Sequence, residues 1–172
     1  MRRLRYQVAA SLDGYIAGPN GEYDWIVHDS SIDFAAHFRQ FDTVLMGRKT
    51  FELVLAQHPD GAMPGLRVIV CSRTLRGEDY PKVTVLRDDV ASEVAALKRQ
   101  AGNDIWLFGG GVLFRHLLDA GVVDTVEVAL MPILIGGGIP LVAAGRRSPR
   151  LHLEKCEPLP SGIVMMSYRT RS

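Results

Sequence analysis

Only two cysteines occur in this sequence, Cys71 and Cys156, and neither stands in a CxxC pair or near a histidine at metal-ligand spacing. That excludes a disulfide framework and points to two reduced, partly buried thiols. The histidines (His28, His37, His58, His116 and His152) are scattered, no pair of them suggests a metal site, and no metal is expected. Charge of one sign is also lacking: 20 Lys and Arg against 19 Asp and Glu leave a net charge of +1, too little to draw nucleic acid or anionic lipid over long range. No apolar run approaches the ~20 residues that span a bilayer. The basic start, MRRLRYQV, leads into a run too short for a signal peptide. The expectation is a cytoplasmic protein that acts on a small molecule, without nucleic acid or membrane as partner. The zinc-deaminase pattern HxE with PCxxC is absent, as are the nucleophile elbow, the Walker loop and the dinucleotide fingerprint GxGxxG.

What is present is a regular alternation of strand-like and helix-like segments. The 172 residues fit one domain, spanning 1–172, with enough apolar sequence for a real core. Strands are predicted at 4–12, 42–47, 65–72, 82–87, 104–108 and 123–134. Helices are predicted at 29–41, 48–57, 90–100 and 112–120. Ser30 or Ser31 can cap the first of them, with Phe34, Phe38 and Phe41 on one face. Asp88 or Asp89 can cap the third, with Val90, Val94, Leu97 and Ala101 turned inward. Pro132 suggests a bulge or a sheet edge. Two alternating segments, 151–158 and 162–170, close the chain as an antiparallel hairpin. The fold class is therefore α/β: a mostly parallel mixed sheet with antiparallel C-terminal strands.

In such sheets ligands bind beyond the carboxyl ends of the strands. Three junctions there suit an anion. In MGRKTFE, Gly47 leaves a strand and the amides of Arg48, Lys49 and Thr50 open a helix, where the dipole favours negative charge. In VCSRT, Ser72, Arg73 and Thr74 offer hydroxyls and a guanidinium to a phosphate. In LFGGGVLFRHLL, Phe108 leads into Gly109, Gly110 and Gly111, which let backbone approach a pyrophosphate before Val112 and Leu113 begin a helix. A plain solvated turn is the alternative at each, but three on one sheet edge strengthen one another. The second triplet, Gly136–Gly138 in LIGGGIPL, has no helix behind it. It reads as a turn shaping the substrate side.

The ordered set SLDGYIAG, DW, MGRKTFE, VCSRT, LFGGGVLFRHLL and PILIGGGIPL resembles the dihydrofolate-reductase-like superfamily over nearly the whole chain. The resemblance is closest to the reductase (C-terminal) domain of the bacterial riboflavin deaminase–reductase and its stand-alone relatives. It implies a dihydrofolate-reductase-like three-layer sandwich that binds NADPH, often as a homodimer. Ala9, Ala10, Ile16 and Ala17 match the segment that meets the nicotinamide, Gly47 to Thr50 and Gly109 to Leu113 the phosphate cradle, and Ser72 to Thr74 the loop that reads the 2′-phosphate. In this superfamily the bond matching Gly109–Gly110 is often cis. Asp13, Tyr15, Asp24, Trp25 and Phe34 are candidates for the substrate side, Trp25 and Phe34 as a flat wall. Asp33 is the candidate proton donor, as a buried acid of raised pKa, with water as the other source. Ser31 or Phe34 also aligns with the folate enzymes' carboxylate, so Asp33 also reads as a helix-start charge.

Phe114 replaces a tyrosine common in the folate enzymes, and the second triplet with Pro132 and Pro140 follows the riboflavin pattern. The expected activity is NADPH-dependent hydride transfer to a small heterocyclic or carbonyl-like substrate. Two alternatives remain within the enzyme class: 5-amino-6-(5-phosphoribosylamino)uracil reductase of riboflavin biosynthesis, or a dihydrofolate-reductase-like enzyme. For the first of these, Arg146, Arg147 and Arg150 are candidates to hold the sugar phosphate, or are simply a solvated loop. Outside the class, the alternative is a catalytically silent nucleotide-binding protein.

Overall fold

The computed structural model describes residues 1–170. In chain order the strands and helices are β1 (Leu4–Ser11), β2 (Tyr15–Ala17), α1 (Phe34–Phe38), β3 (Phe41–Gly47), α2 (Arg48–Gln57), β4 (Arg67–Cys71) and β5 (Val83–Leu86). They continue as α3 (Val90–Arg99), β6 (Asp104–Gly109), α4 (Gly111–Asp119), β7 (Thr125–Met131), β8 (Ile139–Pro140), β9 (His152–Pro158) and β10 (Val164–Arg169). Eight strands form one sheet in the order β5-β4-β3-β6-β1-β7-β10-β9. Pairing is parallel from β5 through β7 and antiparallel at β10 and β9. The sandwich and the C-terminal hairpin are thus as expected.

Strand alternation sorts the side chains into two cores. On one face Leu4, Tyr6, Leu45, Ile105 and Leu107 meet Val94 and Leu97 of α3 and Phe114 and Leu117 of α4. The ring of Tyr6 stacks on Phe114 at 3.7 Å. On the other face Val44, Met46, Val68 and Val70 meet Phe51 and Val54 of α2. α1 packs on this second face as well, Phe38 against Trp106 at 5.2 Å.

Several expectations are corrected. The first helix is five residues, not thirteen. The buried Asp29 carboxylate accepts from the Ser31 amide (2.8 Å) and hydroxyl and from the Ser161 amide (3.0 Å). That turn satisfies the backbone locally and delays the helix. Asp33, and neither serine, caps it, accepting from the Ala36 amide at 2.8 Å. Phe41 already belongs to β3. Asp89 sits at the cap position of α3 without a side-chain bond to it, and Ala101 is exposed beyond that helix. Pro132 marks no edge: β7 lies between β1 and β10 and ends at Met131, one residue before it. Cys156 is exposed, whereas burial pushes the Cys71 thiol up to about 12.

Candidate functional site

Because the central strands are parallel, Ser11, Gly47, Cys71 and Gly109 end on one edge of the sheet. The pairings Gly47 with Cys71 and Met46 with Gly109 put the turns after β3, β4 and β6 side by side. Both helices that start there, α2 and α4, have a glycine at the N-cap, Gly47 and Gly110, and neither start receives a side-chain cap bond. Their first amides are therefore left for an outside acceptor. The bond between Gly109 and Gly110 is cis.

A Cβ added at Gly47 would stand 3.9 Å from the Gly109 carbonyl oxygen and the Gly110 nitrogen, and one at Gly110 would stand 3.7 Å from the Thr50 hydroxyl. Neither would clash, so protein packing does not demand glycine at these two positions. The uncapped amides of the two helix starts, with the Thr50 hydroxyl beside them, fit a dinucleotide's phosphates. Gly111 differs. It is buried, and its missing side chain admits the Pro140 carbonyl, 2.6 Å from where a Cβ would stand. Its own carbonyl accepts from the Ala143 amide at 3.1 Å.

The neighbouring turn carries Arg73. Ser72 spends its hydroxyl within the turn, accepting from the amides of Leu75 (2.9 Å) and Thr74 (3.2 Å). Arg73 is exposed, and its guanidinium forms no ion pair among the described residues. Sequence reasoning missed Arg87, which donates to the carbonyls of Arg73 (3.0 Å) and Leu75 (2.8 Å) and so staples the turn. The signal was available: Arg87 follows directly on β5, whose Leu86 pairs with Cys71. At the helix starts Arg48 pairs with Glu52, and Lys49 is exposed. Ala10 is buried, so it can offer only backbone, while Ile16 and Ala17 form β2 over the end of β1.

Asp13 does not face open space. Its carboxylate accepts from the amides of Gly136 (2.8 Å) and Ile135 (3.2 Å). Hydrogen bonds from Ser11 and from those amides hold its carboxyl below the ordinary value. The second triplet is thereby tied to the turn between β1 and β2, and β8 pairs with β2 through Tyr15 and Ala17. Gly138 has φ +150°, and a Cβ there would lie 2.1 Å from the Ala17 carbonyl oxygen. Gly138→Ala should therefore cost at least about 1–3 kcal/mol from backbone strain alone. Gly137→Ala, whose Cβ meets nothing within 4 Å, should stay within about 0.5 kcal/mol. Urea unfolding of the two variants checks the contrast; equal midpoints would refute this account of the triplet.

The other substrate-side candidates divide. Asp24 is exposed. Trp25 turns its indole N–H back to the Glu22 carbonyl at 3.1 Å and stands in no ring stack among the described residues. Phe34 stacks instead on Phe38, at 6.3 Å. Asp33 is exposed, so the expected buried acid is not found there. Arg146 pairs with Asp119 at the far end of α4, away from the glycine turns.

Beneath α1 lies a polar network that the sequence did not suggest. Arg5 grips Glu127 with two bonds of 2.7 Å and reaches Gln40 (2.7 Å) and Asp104 (3.4 Å). Gln7 donates to Glu127 at 2.6 Å, which turns its amide oxygen to His37 Nε2, also at 2.6 Å. That nitrogen must then carry the proton. Burial foremost, then the Arg5 charge, holds the His37 pKa below its ordinary value. The short helix is thus fixed to the sheet by His37 and Gln40.

Among the described residues no group of three or more His, Cys, Asp or Glu side chains could hold a metal, and no helix is long and apolar enough to cross a membrane. The architecture, a mostly parallel sheet with two glycine-started helices at the carboxyl ends of its strands and an antiparallel hairpin closing it, is the dihydrofolate-reductase-like fold. The dihydrofolate reductase of Enterococcus faecalis, solved with NADP(H), matches it with a TM-score of 0.69 over 99% of this chain and 97% of that one, at 17% identity. The chain belongs to the RibD C-terminal domain family, whose model matches residues 2–165. It is 32% identical over 178 residues to the uncharacterized protein YyaP of Bacillus subtilis (strain 168), covering 97% of this chain and 94% of that one. A crystal structure of a candidate riboflavin biosynthesis protein from Shewanella sp. PV-4 is 28% identical over the full length of both chains, with a TM-score of 0.83.

Proposed function

We propose that this protein is an NADPH-dependent reductase of a small heterocyclic or carbonyl-like substrate. The observation that carries the reading is the pair of uncapped, glycine-started helices that begin side by side after β3 and β6, with Arg73 on the adjacent turn. When bound, NADPH supplies the hydride. The chain's own residues bind and orient. The starts of α2 and α4 take the phosphates, Arg73 takes the 2′-phosphate, and the segment from Ala9 to Ala17 lines the nicotinamide end. Steady-state NADPH oxidation against a panel of pterins, quinones and flavin precursors tests the proposal. Tight NADPH binding without turnover on any of them would favour a silent nucleotide-binding protein instead.

The proton is proposed to come from water. Asp33 is exposed, and its carboxylate is engaged as a helix cap. Asp33→Asn preserves a cap acceptor and should leave kcat within about threefold, because the roughly 100- to 10,000-fold contribution of a general acid is not expected there. A hundredfold loss would reinstate Asp33 as the acid.

Membership of the RibD C-terminal domain family favours a second reading, reduction of 5-amino-6-(5-phosphoribosylamino)uracil. Turnover of that compound would establish it, and its absence would leave the broader proposal standing.

A further inference from the structure

Among the described residues, the turn from Ser72 to Leu75 has no backbone hydrogen bond within itself. Its backbone tie leads outward, from the Ser72 amide to the Leu86 carbonyl at 2.9 Å. Side chains hold the rest, from two directions. The Ser72 hydroxyl takes the amides of Thr74 and Leu75. The Arg87 guanidinium takes the carbonyls of Arg73 (3.0 Å) and Leu75 (2.8 Å), one terminal nitrogen to each. Ser72 is part of the turn, whereas Arg87 grips it from outside. The backbone on either side of Arg87 is fixed, since Leu86 pairs with Cys71 in the sheet and α3 begins at Val90. Arg87 forms no ion pair among the described residues. Its fork is therefore spent on these two carbonyls.

We propose that Arg87 is a positioning residue for cofactor choice: it presets the turn from which Arg73 meets the 2′-phosphate, and touches no part of the nucleotide itself. This rests on the NADPH reading of that turn. An exposed arginine on a turn without backbone bonds presents its charge from many geometries. Binding must then order the turn as well as the side chain, which lowers affinity. With its carbonyls held from outside, the turn is ordered beforehand, and only the Arg73 side chain remains to be fixed. The benefit goes to NADPH alone, because NADH has no 2′-phosphate for Arg73 to meet. A planar fork can bridge two carbonyls where a lysine ammonium, a single point of charge, cannot hold the same geometry.

The test is the Kd for NADPH and for NADH, both read from nicotinamide emission. Arg87→Gln should weaken NADPH about 3- to 10-fold, the usual effect of having one more flexible group to order on binding, and leave NADH within about twofold. Arg87→Lys should lose as much, since it keeps the charge but not the bridge. In Arg73→Ala protein, Arg87→Gln should change NADPH binding by less than about twofold, because a residue that acts through Arg73 then has nothing to position. Additive losses in the double variant would make Arg87 a direct phosphate ligand. Full retention by Arg87→Lys would make its charge the agent, and equal losses for NADPH and NADH would make it a general prop of the fold. Each of these three results overturns the proposal. If Arg73→Ala removes the preference for NADPH while Arg87→Gln keeps it, the proposal alone falls. If Arg73→Ala leaves the preference intact, the NADPH reading of the turn fails and the proposal with it.

Discussion

Glu127→Ala is expected to remove about 3–5 kcal/mol of folding stability, the usual cost of leaving one member of a buried ion pair alone. Arg5 has a side chain only 8% exposed and would lose both short bonds to Glu127. Asp104, at 3.4 Å, is too distant to compensate fully and is already engaged by Arg3. Gln7 and Thr125 lose an acceptor at the same time. Urea unfolding with an unchanged slope is the measurement, and a loss under about 1 kcal/mol would show that the pair behaves as a surface one. Glu127→Gln keeps part of the hydrogen bonding and should fall between the two.

The same network sets the response to acid. Burial alone would raise the Glu127 pKa, but the Arg5, Thr125 and Gln7 bonds together outweigh it and hold it below its ordinary value. Asp104 is lowered in the same way against its burial, chiefly by Arg3. A carboxylate depressed in the folded state stabilises fully above its unfolded pKa of about 4 and loses that contribution as pH falls through the folded value. His37, depressed by burial, adds a loss of the same sign that begins as pH falls below its unfolded value of about 6.5. Stability should therefore drop in two stages on acidification, and Glu127→Ala should flatten the lower stage.

Much of this fold was legible because its signals are local. β3 and α2 were expected within a residue of where they lie, since Gly47 separates a run of period two from one of period 3.6. The hairpin of β9 and β10 was equally plain. The failures share a physical cause. Asp29, Arg5, Gln7, Glu127 and Arg87 act through partners far away in sequence, and composition cannot show which polar residue in an apolar strand has found one. Asp29 delayed to Phe34 a helix that periodicity alone began at residue 29. Arg5 and Gln7 were the available clue: two polar residues at alternate positions of a strand whose neighbours are apolar. The cofactor junctions were visible as short motifs, whereas the contact of Phe38 with Trp106 was not, because only the packing of α1 on β6 brings those rings together.

Arg73→Ala is expected to raise the Kd for NADPH about 10- to 100-fold and to leave that for NADH within about twofold. A charge-assisted hydrogen-bond pair is worth about 1.5–3 kcal/mol, and each 1.4 kcal/mol is tenfold. The guanidinium is exposed and free of ion pairs among the described residues, so it gives up no protein partner on meeting a phosphate. Arg87 holds the carbonyl of Arg73 itself, so the turn keeps its shape when the side chain is cut back. Arg73→Lys keeps the charge but not the two-pronged geometry and should recover only part of the preference. Salt should weaken the wild type's NADPH binding more than the variant's, because one exposed charge contact has been removed. Arg48→Ala supplies the contrast, since a residue at the start of α2 would serve the pyrophosphate that both nucleotides share, and its losses for NADPH and NADH should be equal. Equal losses in Arg73→Ala would instead place the 2′-phosphate elsewhere and leave the turn after β4 with no part in choosing the cofactor.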